Sequence, residues 1–182
     1  MSGATFRHHA AQVLATMALF LAMLWLNDWL FRRFEFAPGI NFIYLPAGMR
    51  LLCTLLFAED GACGLLLVSW LVNFLVFFPG DHERAFVGGI LSTAAPWLVY
   101  RGARRFWGLD ATLRNLTPRQ LLALALAYSI ANPLLLHLWF ALRGQHDLLP
   151  GFAAMATGDL AGTLIVLYAL KGLLALLPRA GR

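Results

Sequence analysis

The sequence predicts an all-α fold, a polytopic membrane helix bundle of about six transmembrane helices that forms one integral membrane domain over residues 1–182. Hydrophobic residues make up 60% of the chain and charged residues only 13%, about half the share that is usual in soluble domains. Apolar residues surround the predicted helices on all sides, which suits contact with lipid. Basic residues cluster between the apolar segments, so the net charge of +5 reflects membrane topology rather than nucleic-acid binding.

Six apolar segments are separated by polar or turn-forming stretches. The predicted spans lie near residues 11–31, 40–58, 62–78, 86–100, 119–142 and 151–177. A helix of about 20 residues crosses the roughly 30 Å of hydrocarbon in a bilayer. A tight turn at residues 59–61 separates the second span from the third, and Thr117 with Pro118 has the pattern of a helix start.

The distribution of arginine predicts that both termini are cytoplasmic, as expected in a bacterial inner (plasma) membrane. With this orientation the cytoplasmic segments contain Arg7, Arg101, Arg104, Arg105, Arg114, Arg119, Arg179 and Arg182. The outer loops contain only Arg32, Arg33, Arg84 and Arg143. Positively charged loops remain preferentially inside.

The second span, "INFIYLPAGMRLL", combines Pro46, Gly48 and Arg50 within five residues. Proline and glycine predict a break in the helix, and Arg50 would lie roughly 15 Å below the outer surface at helical rise. Asp159 in the sixth span reaches roughly 14 Å. A lone charge at this depth costs on the order of 3 kcal/mol or more, so we expect Arg50 and Asp159 to form a pair or to share one polar cavity.

Other polar side chains are predicted to reach a similar or shallower depth. They are Asn132, which precedes Pro133 in the fifth span, Asn73 in the third, Thr93 in the fourth and, nearer the outer surface, His137. Together with the break at Pro46 and Gly48, these residues predict a small polar chamber that opens outward and binds a ligand. An alternative is purely structural, because buried polar pairs and small-residue motifs such as "GDLAG" also hold membrane helices together.

Metal, cofactor and enzyme sites have little support in the sequence. The outer residues Asp81, His82, Glu83, His146 and Asp147 could meet, but their spacing matches no recognised metal-binding pattern. A haem would need facing axial ligands, and only His137 lies well inside a span. Hydrolase motifs, phosphate loops and dinucleotide fingerprints are absent. We therefore expect no cofactor, no metal and no enzymatic activity.

Four segments together resemble the membrane-associated sensor domain (MASE) family, of the first type. They are "FIYLPAGMRLLCTLLF", "GACGLLLVSWLVNFL", "GGILSTAAPWLVYRGARRF" and "GDLAGTLIVLYAL". The matching motif residues are Leu45, Pro46, Ala47, Gly48, Asn73, Gly158, Asp159 and Gly162. Tyr44 stands where the family usually has Trp, the proline that commonly follows the "GDxxG" motif is missing, and members usually have about eight spans before a kinase or cyclase module. The resemblance implies a shortened input device that signals through a partner.

Three functions follow from these features. The first is a membrane-embedded sensor or regulatory protein that binds a small ligand or membrane partner around Arg50 and Asp159 and signals through a protein partner. The second is a small transporter, or the substrate-binding subunit of one, for an anionic or polar solute, because broken helices and midplane charges hold solutes in transporters. A membrane enzyme with a metal at the outer acidic and histidine residues ranks third.

Overall fold

The computed structural model describes residues 3–176, and its main elements are five α-helices. They are Gly3–Phe31 (α1), Leu45–Val72 (α2), His82–Trp107 (α3), Pro118–Leu142 (α4) and Leu148–Leu176 (α5). A short 3₁₀ turn, Arg32–Phe34, and a small antiparallel hairpin of strands Glu35–Ala37 (β1) and Ile40–Asn41 (β2) connect α1 to α2. A π-helical turn, Asn73–Phe77, ends α2. The predicted all-helical class is confirmed, and the hairpin is an addition to it.

Within residues 3–176, four helical segments are long and apolar enough to cross a membrane: Ala4–Phe34, Leu45–Phe77, Pro118–Leu142 and Leu148–Leu176. They identify a membrane protein, but the predicted count of six spans is not confirmed. The segment Leu45–Phe77 covers both the second and the third predicted spans. The fourth predicted span lies in α3, which is less apolar because charged residues flank its centre. The predicted end of the sixth span at Leu177, with Arg179 and Arg182, lies outside the described residues.

The second long helix is interrupted at Ala58, where the backbone has φ 48° and ψ −119°. These angles match the first central position of a type II′ turn. A Cβ atom on Gly61 would overlap the carbonyl oxygen of Cys53, although eight residues of a continuous helix would separate these positions by about 12 Å. The chain therefore turns back at Ala58, and residues 45–57 lie against residues 59–72. The tight turn predicted at residues 59–61 begins one residue earlier.

The substitution Ala58→Gly should stabilise the protein by about 1 kcal/mol, because L-residues are strained at positive φ and glycine is not. Ala62→Gly, within the helix that follows, should instead destabilise it by about 1 kcal/mol. The free energy of unfolding in detergent micelles, measured for both variants, checks the difference. Equal losses in the two variants would show that the helix continues through Ala58.

The helices pack in a bundle in which α2 contacts α1, α3 and α5, while α4 lies between α3 and α5. The largest group of buried apolar side chains joins α2, α3 and α4 around Leu51, Tyr100 and Tyr128. Large apolar side chains such as Trp25 and Trp29 are mostly exposed, whereas many polar side chains are buried. This inverted distribution fits a bundle surrounded by lipid.

The structure moves the start of the second predicted span from residue 40 to Leu45. Residues 40–44 are a short strand followed by a bend rather than a helix, because proline at the first turn favours a helix start over a helix interior. The backbone N–H of Leu45 donates a hydrogen bond to Oδ1 of Asn27 on α1, at 2.8 Å. The predicted break at Pro46 and Gly48 is therefore the beginning of α2 and not a kink within it.

Candidate functional site

The most buried polar contact of the bundle joins α4 to α5. Nδ2 of Asn132 donates a hydrogen bond to Oδ2 of Asp159 at 2.6 Å. The exposed fraction is 0% for Asn132 and 1% for Asp159. The predicted proximity of these two residues is thus present, and a charge-assisted hydrogen bond to the amide partly compensates the carboxylate for the loss of water.

Arg50 on α2 extends into the same region and is 6% exposed. Its guanidinium carbon lies 5.1 Å from the ring centre of Phe20 and 5.6 Å from that of Tyr44. It is also adjacent to the phenol of Tyr128. Aromatic faces attract a desolvated guanidinium through their ring quadrupoles, so the rings of Phe20 and Tyr44 help to hold this cation inside the bundle.

Arg50 and Asp159 interact electrostatically but do not form a direct ion pair. The ion pairs within 4 Å among residues 3–176 are His9–Asp60, Arg32–Asp28 and Arg143–Glu83. The direct pair, one of the two arrangements expected from the sequence, is therefore absent among residues 3–176. The charges still compensate each other, because Coulomb energy is large where the effective dielectric constant is low.

Several polar atoms of this cluster are buried without a hydrogen-bond partner in the described part of the chain. They are Nε of Arg50, Oδ1 of Asp159 and Oδ1 of Asn132. Each such group costs about 1–3 kcal/mol when unpaired, and buried polar groups in proteins are normally satisfied by protein or water. The cluster therefore has hydrogen-bonding capacity that packing between helices alone does not use.

The "GDLAG" motif, which contains Asp159, packs closely against the segment that precedes α2. The N–H of Tyr44 donates a hydrogen bond to the carbonyl oxygen of Gly158 at 3.1 Å. A Cβ atom on Gly158 would overlap the carbonyl oxygen of Asn41, and one on Gly162 would overlap that of Tyr44. The glycines thus permit a backbone to cross α5 closely, as small residues do, but the partner is an extended strand end rather than a second helix.

The first turn of α2 has a separate packing role. Gly48 faces α5, where an added Cβ would lie 2.7 Å from Cβ of Val166. Pro46 is buried at the helix start. These two predicted ligand-binding residues do not line the crevice described next, and they form the first turn of the helix that carries Arg50.

A crevice of about 50 Å³ lies beside the polar cluster, toward the end of the bundle that carries the hairpin. Arg50 and Asn73 line it, together with Tyr44 and Ser92. The remaining lining residues are Pro38, Gly39, Ile40, Phe77, Phe78, Arg84, Gly88, Leu136, Phe140 and Met155. Two of the predicted chamber residues, Arg50 and Asn73, are therefore on its wall, while Asp159 and Asn132 do not line it.

Asn73 is held in place by α3. Its Nδ2 donates a hydrogen bond to the carbonyl oxygen of Ala85 at 3.1 Å, and Gly88 leaves room for the amide. Ser92 donates to the carbonyl oxygen of Gly89 at 3.3 Å. Both side chains thus keep acceptor oxygens for a further partner, which is what a ligand-binding wall of neutral polar groups requires.

Arg84 at the start of α3 is the functional candidate that sequence reasoning missed. Its guanidinium carbon lies 4.2 Å from the ring centre of Phe78 and 5.1 Å from that of Phe140, and Nε is buried without a hydrogen-bond partner among residues 3–176. The sequence places Arg84 in an outer loop, and the local pattern "DHERA" does not predict that its side chain reaches the crevice. Asp81 caps the helix by accepting from the N–H of Arg84 at 2.9 Å, so the arginine is in a first helical turn.

Two further predicted site residues lie away from the crevice wall. The hydroxyl of Thr93 is buried without a partner within the described residues. Nδ1 of His137 lies 2.8 Å from the carbonyl oxygen of Pro133, and its ring packs edge-on against Phe140 and Phe152. The carbonyl contact of His137 is local to α4, which favours a structural role.

The outer acidic and histidine residues do not assemble in the described part of the chain. No group of three or more metal-ligating side chains occurs among residues 3–176, and Glu83 forms an ion pair with Arg143 instead. This contact joins the first turn of α3 to the residue that follows the end of α4.

The fold and the site together define an integral membrane helix bundle with a buried cluster of opposite charges next to a small crevice. Comparisons of the chain with protein families, curated proteins and solved structures gave no match. The resemblance to the membrane-associated sensor domain family therefore stays a prediction.

Proposed function

We propose that this chain is a membrane-embedded sensor or regulatory protein that binds a small anion in the crevice and signals through a protein partner. One observation carries the proposal: the guanidinium of Arg50, buried and with Nε unpaired, forms part of the crevice wall. Arg84 adds a second guanidinium to the same wall. Intramembrane charges that line a cavity are functional candidates by default.

We also propose six membrane crossings in a bacterial inner membrane, with both termini in the cytoplasm. Residues 40–57 and 59–77 would be two crossings joined by the turn at Ala58, and α3 would be the fourth. Two contacts support this arrangement. His9 lies 2.6 Å from Asp60 at the predicted inner end, and Arg143 pairs with Glu83 at the outer end.

The size and chemistry of the crevice favour a ligand of a few heavy atoms. A volume of about 50 Å³ accommodates roughly four water-sized groups. Planar guanidinium groups bind carboxylates and phosphates through paired hydrogen bonds. Formate, acetate, bicarbonate and inorganic phosphate are therefore the ligand sizes to test.

Movement at the crevice would reach the opposite end of the bundle through two elements. Residues 38–40 line the crevice, and the next residues cross α5 at Gly158 and Gly162. Arg50 itself belongs to α2. A ligand that displaces either element would shift α2 against α5, and the basic segment from Arg101 to Arg119 is the proposed inner contact for the partner.

Anions should raise the thermal unfolding midpoint of the detergent-purified protein, and Arg50→Gln should abolish this effect. At an anion concentration 100 times the dissociation constant, binding stabilises the folded state by about 2.7 kcal/mol. Arg33→Gln is the matched control, because Arg33 is an exposed outer arginine. The measurement is a thermal scan with the sodium salts named above at constant ionic strength.

Equal responses of Arg50→Gln and the control would contradict an anion site at Arg50. Sensing requires two further results: a signalling protein that co-purifies with the tagged chain in mild detergent, and a regulatory output that changes when the gene is deleted. Uptake of the stabilising anion into proteoliposomes, lost in Arg50→Gln, would instead favour a transporter.

A further inference from the structure

A second cavity lies at the opposite end of the bundle, between the start of α4 and the end of α5. Its volume is about 590 Å³, within the range of ligand-binding pockets. The walls are mainly leucine side chains: Leu52, Leu116, Leu121, Leu122, Leu164, Leu167, Leu170 and Leu174. Leu122, Leu174 and Tyr168 are strongly exposed, so this groove is open to the surroundings of the bundle.

Two cations stand at the edge of this leucine groove. Arg119 belongs to the first turn of α4 and Lys171 to the last part of α5, and both are lining residues. Neither has an ion-pair partner within residues 3–176. Arg119 also follows the N-cap Thr117, where the positive end of the helix dipole favours anions.

We propose that the leucine groove binds one anionic glycerophospholipid, with its phosphate between Arg119 and Lys171 and an acyl chain along the leucines. The two cations are complementary to the negative charge of a phosphodiester, and the leucine lining suits a hydrocarbon chain. Basic pockets between transmembrane helices on the cytoplasmic side recognise anionic headgroups. The lipid site requires the proposed membrane crossing, but it does not depend on the anion crevice.

Binding of a lipid in the groove can be distinguished from general attraction of the protein to an anionic membrane surface. Arg104 and Arg105 lie in the same predicted inner region and are exposed, but they do not line the groove. A surface effect would depend on the number of inner cations, whichever they are. A specific lipid-binding site depends on Arg119 and Lys171 in particular, and on the space between the leucines.

The experiment uses the full chain in nanodiscs of phosphatidylcholine with increasing phosphatidylglycerol, followed by native mass spectrometry of lipids retained after gentle release. The wild-type chain should retain one phosphatidylglycerol. The double variant Arg119→Gln/Lys171→Gln should weaken this binding on the order of 30-fold, since each cation near an anionic surface contributes about one factor of five to six. The control Arg104→Gln/Arg105→Gln removes the same charge and should retain the lipid.

A second variant tests the acyl-chain part. Leu122→Trp fills the open side of the groove and should reduce retention without changing any charge. Equal loss in the two charge variants would overturn the proposal in favour of surface attraction. Full retention in Arg119→Gln/Lys171→Gln, or competition by inorganic phosphate as strong as that by phosphatidylglycerol, would overturn it as well.

Discussion

Asp159→Asn should lower the free energy of unfolding by about 3 kcal/mol, because it removes the charge that compensates the buried guanidinium of Arg50. The carboxylate is 1% exposed and accepts a hydrogen bond from Asn132, so asparagine preserves the shape but not the charge. Reversible unfolding with sodium dodecyl sulfate in bicelles, followed by circular dichroism, measures the loss. Asp28→Asn, in an exposed pair with Arg32, is the control and should change stability by less than about 0.5 kcal/mol.

The double variant Arg50→Met/Asp159→Asn separates a charge effect from a packing effect. Removing both charges leaves no uncompensated ion, so the double variant should be more stable than Asp159→Asn alone. If the double variant loses as much free energy of unfolding as the two single variants together, the two charges are independent. An Asp159→Asn protein as stable as the control would show that Arg50 is compensated by its aromatic neighbours without the carboxylate.

Gly162→Ala should destabilise the protein by about 3 kcal/mol or prevent folding, because its Cβ would overlap the backbone of Tyr44. A main-chain carbonyl cannot move aside as the end of a flexible side chain can, so the cost is at the upper end of overpacking effects. Gly172→Ala on the same helix is the control, since no atom lies within 4 Å of the added Cβ. Yield of monodisperse protein and the free energy of unfolding are the readouts.

Equal stability of Gly162→Ala and Gly172→Ala would contradict the crossing of the extended segment over α5. The same crossing sets the position of Arg50, because Tyr44 directly precedes the helix that carries it. We therefore expect Gly162→Ala, where it still folds, to weaken anion binding as well. Loss of stability with unchanged anion binding would separate the crossing from the crevice.

The buried charges could be found from the chain alone because hydrocarbon makes them conspicuous. Arg50 and Asp159 are charged residues within apolar segments, and counting residues from the predicted surface places both near the midplane. Residue counts determine depth along the bilayer normal but not rotation about a helix axis. For this reason the similar depth of Asn132 and Asp159 could be predicted, whereas their hydrogen bond and the contact of Asn73 with Ala85 could not.

The predicted start of the second helix was wrong because its local sequence pattern is compatible with two structures. Pro46 and Gly48 indicate a break, and a break is compatible with a kink inside a helix or with a helix start. Here the backbone N–H of Leu45 bonds to the side chain of Asn27, 18 residues earlier in the chain, and this contact favours a helix start. Arg84 was missed for a related reason, since its stacking on Phe140 joins residues far apart in the sequence.

Composition and the spacing of apolar segments were sufficient to identify a helical membrane protein and to single out its costly charges, because solvation by lipid acts on each segment separately. The three-dimensional packing was needed to show that Arg50 and Asp159 share a cluster without direct contact, that glycines on α5 receive an extended strand end, and that Arg84 joins the crevice. These features depend on which faces of different helices meet, and long-range contacts of that kind are not encoded in any single segment.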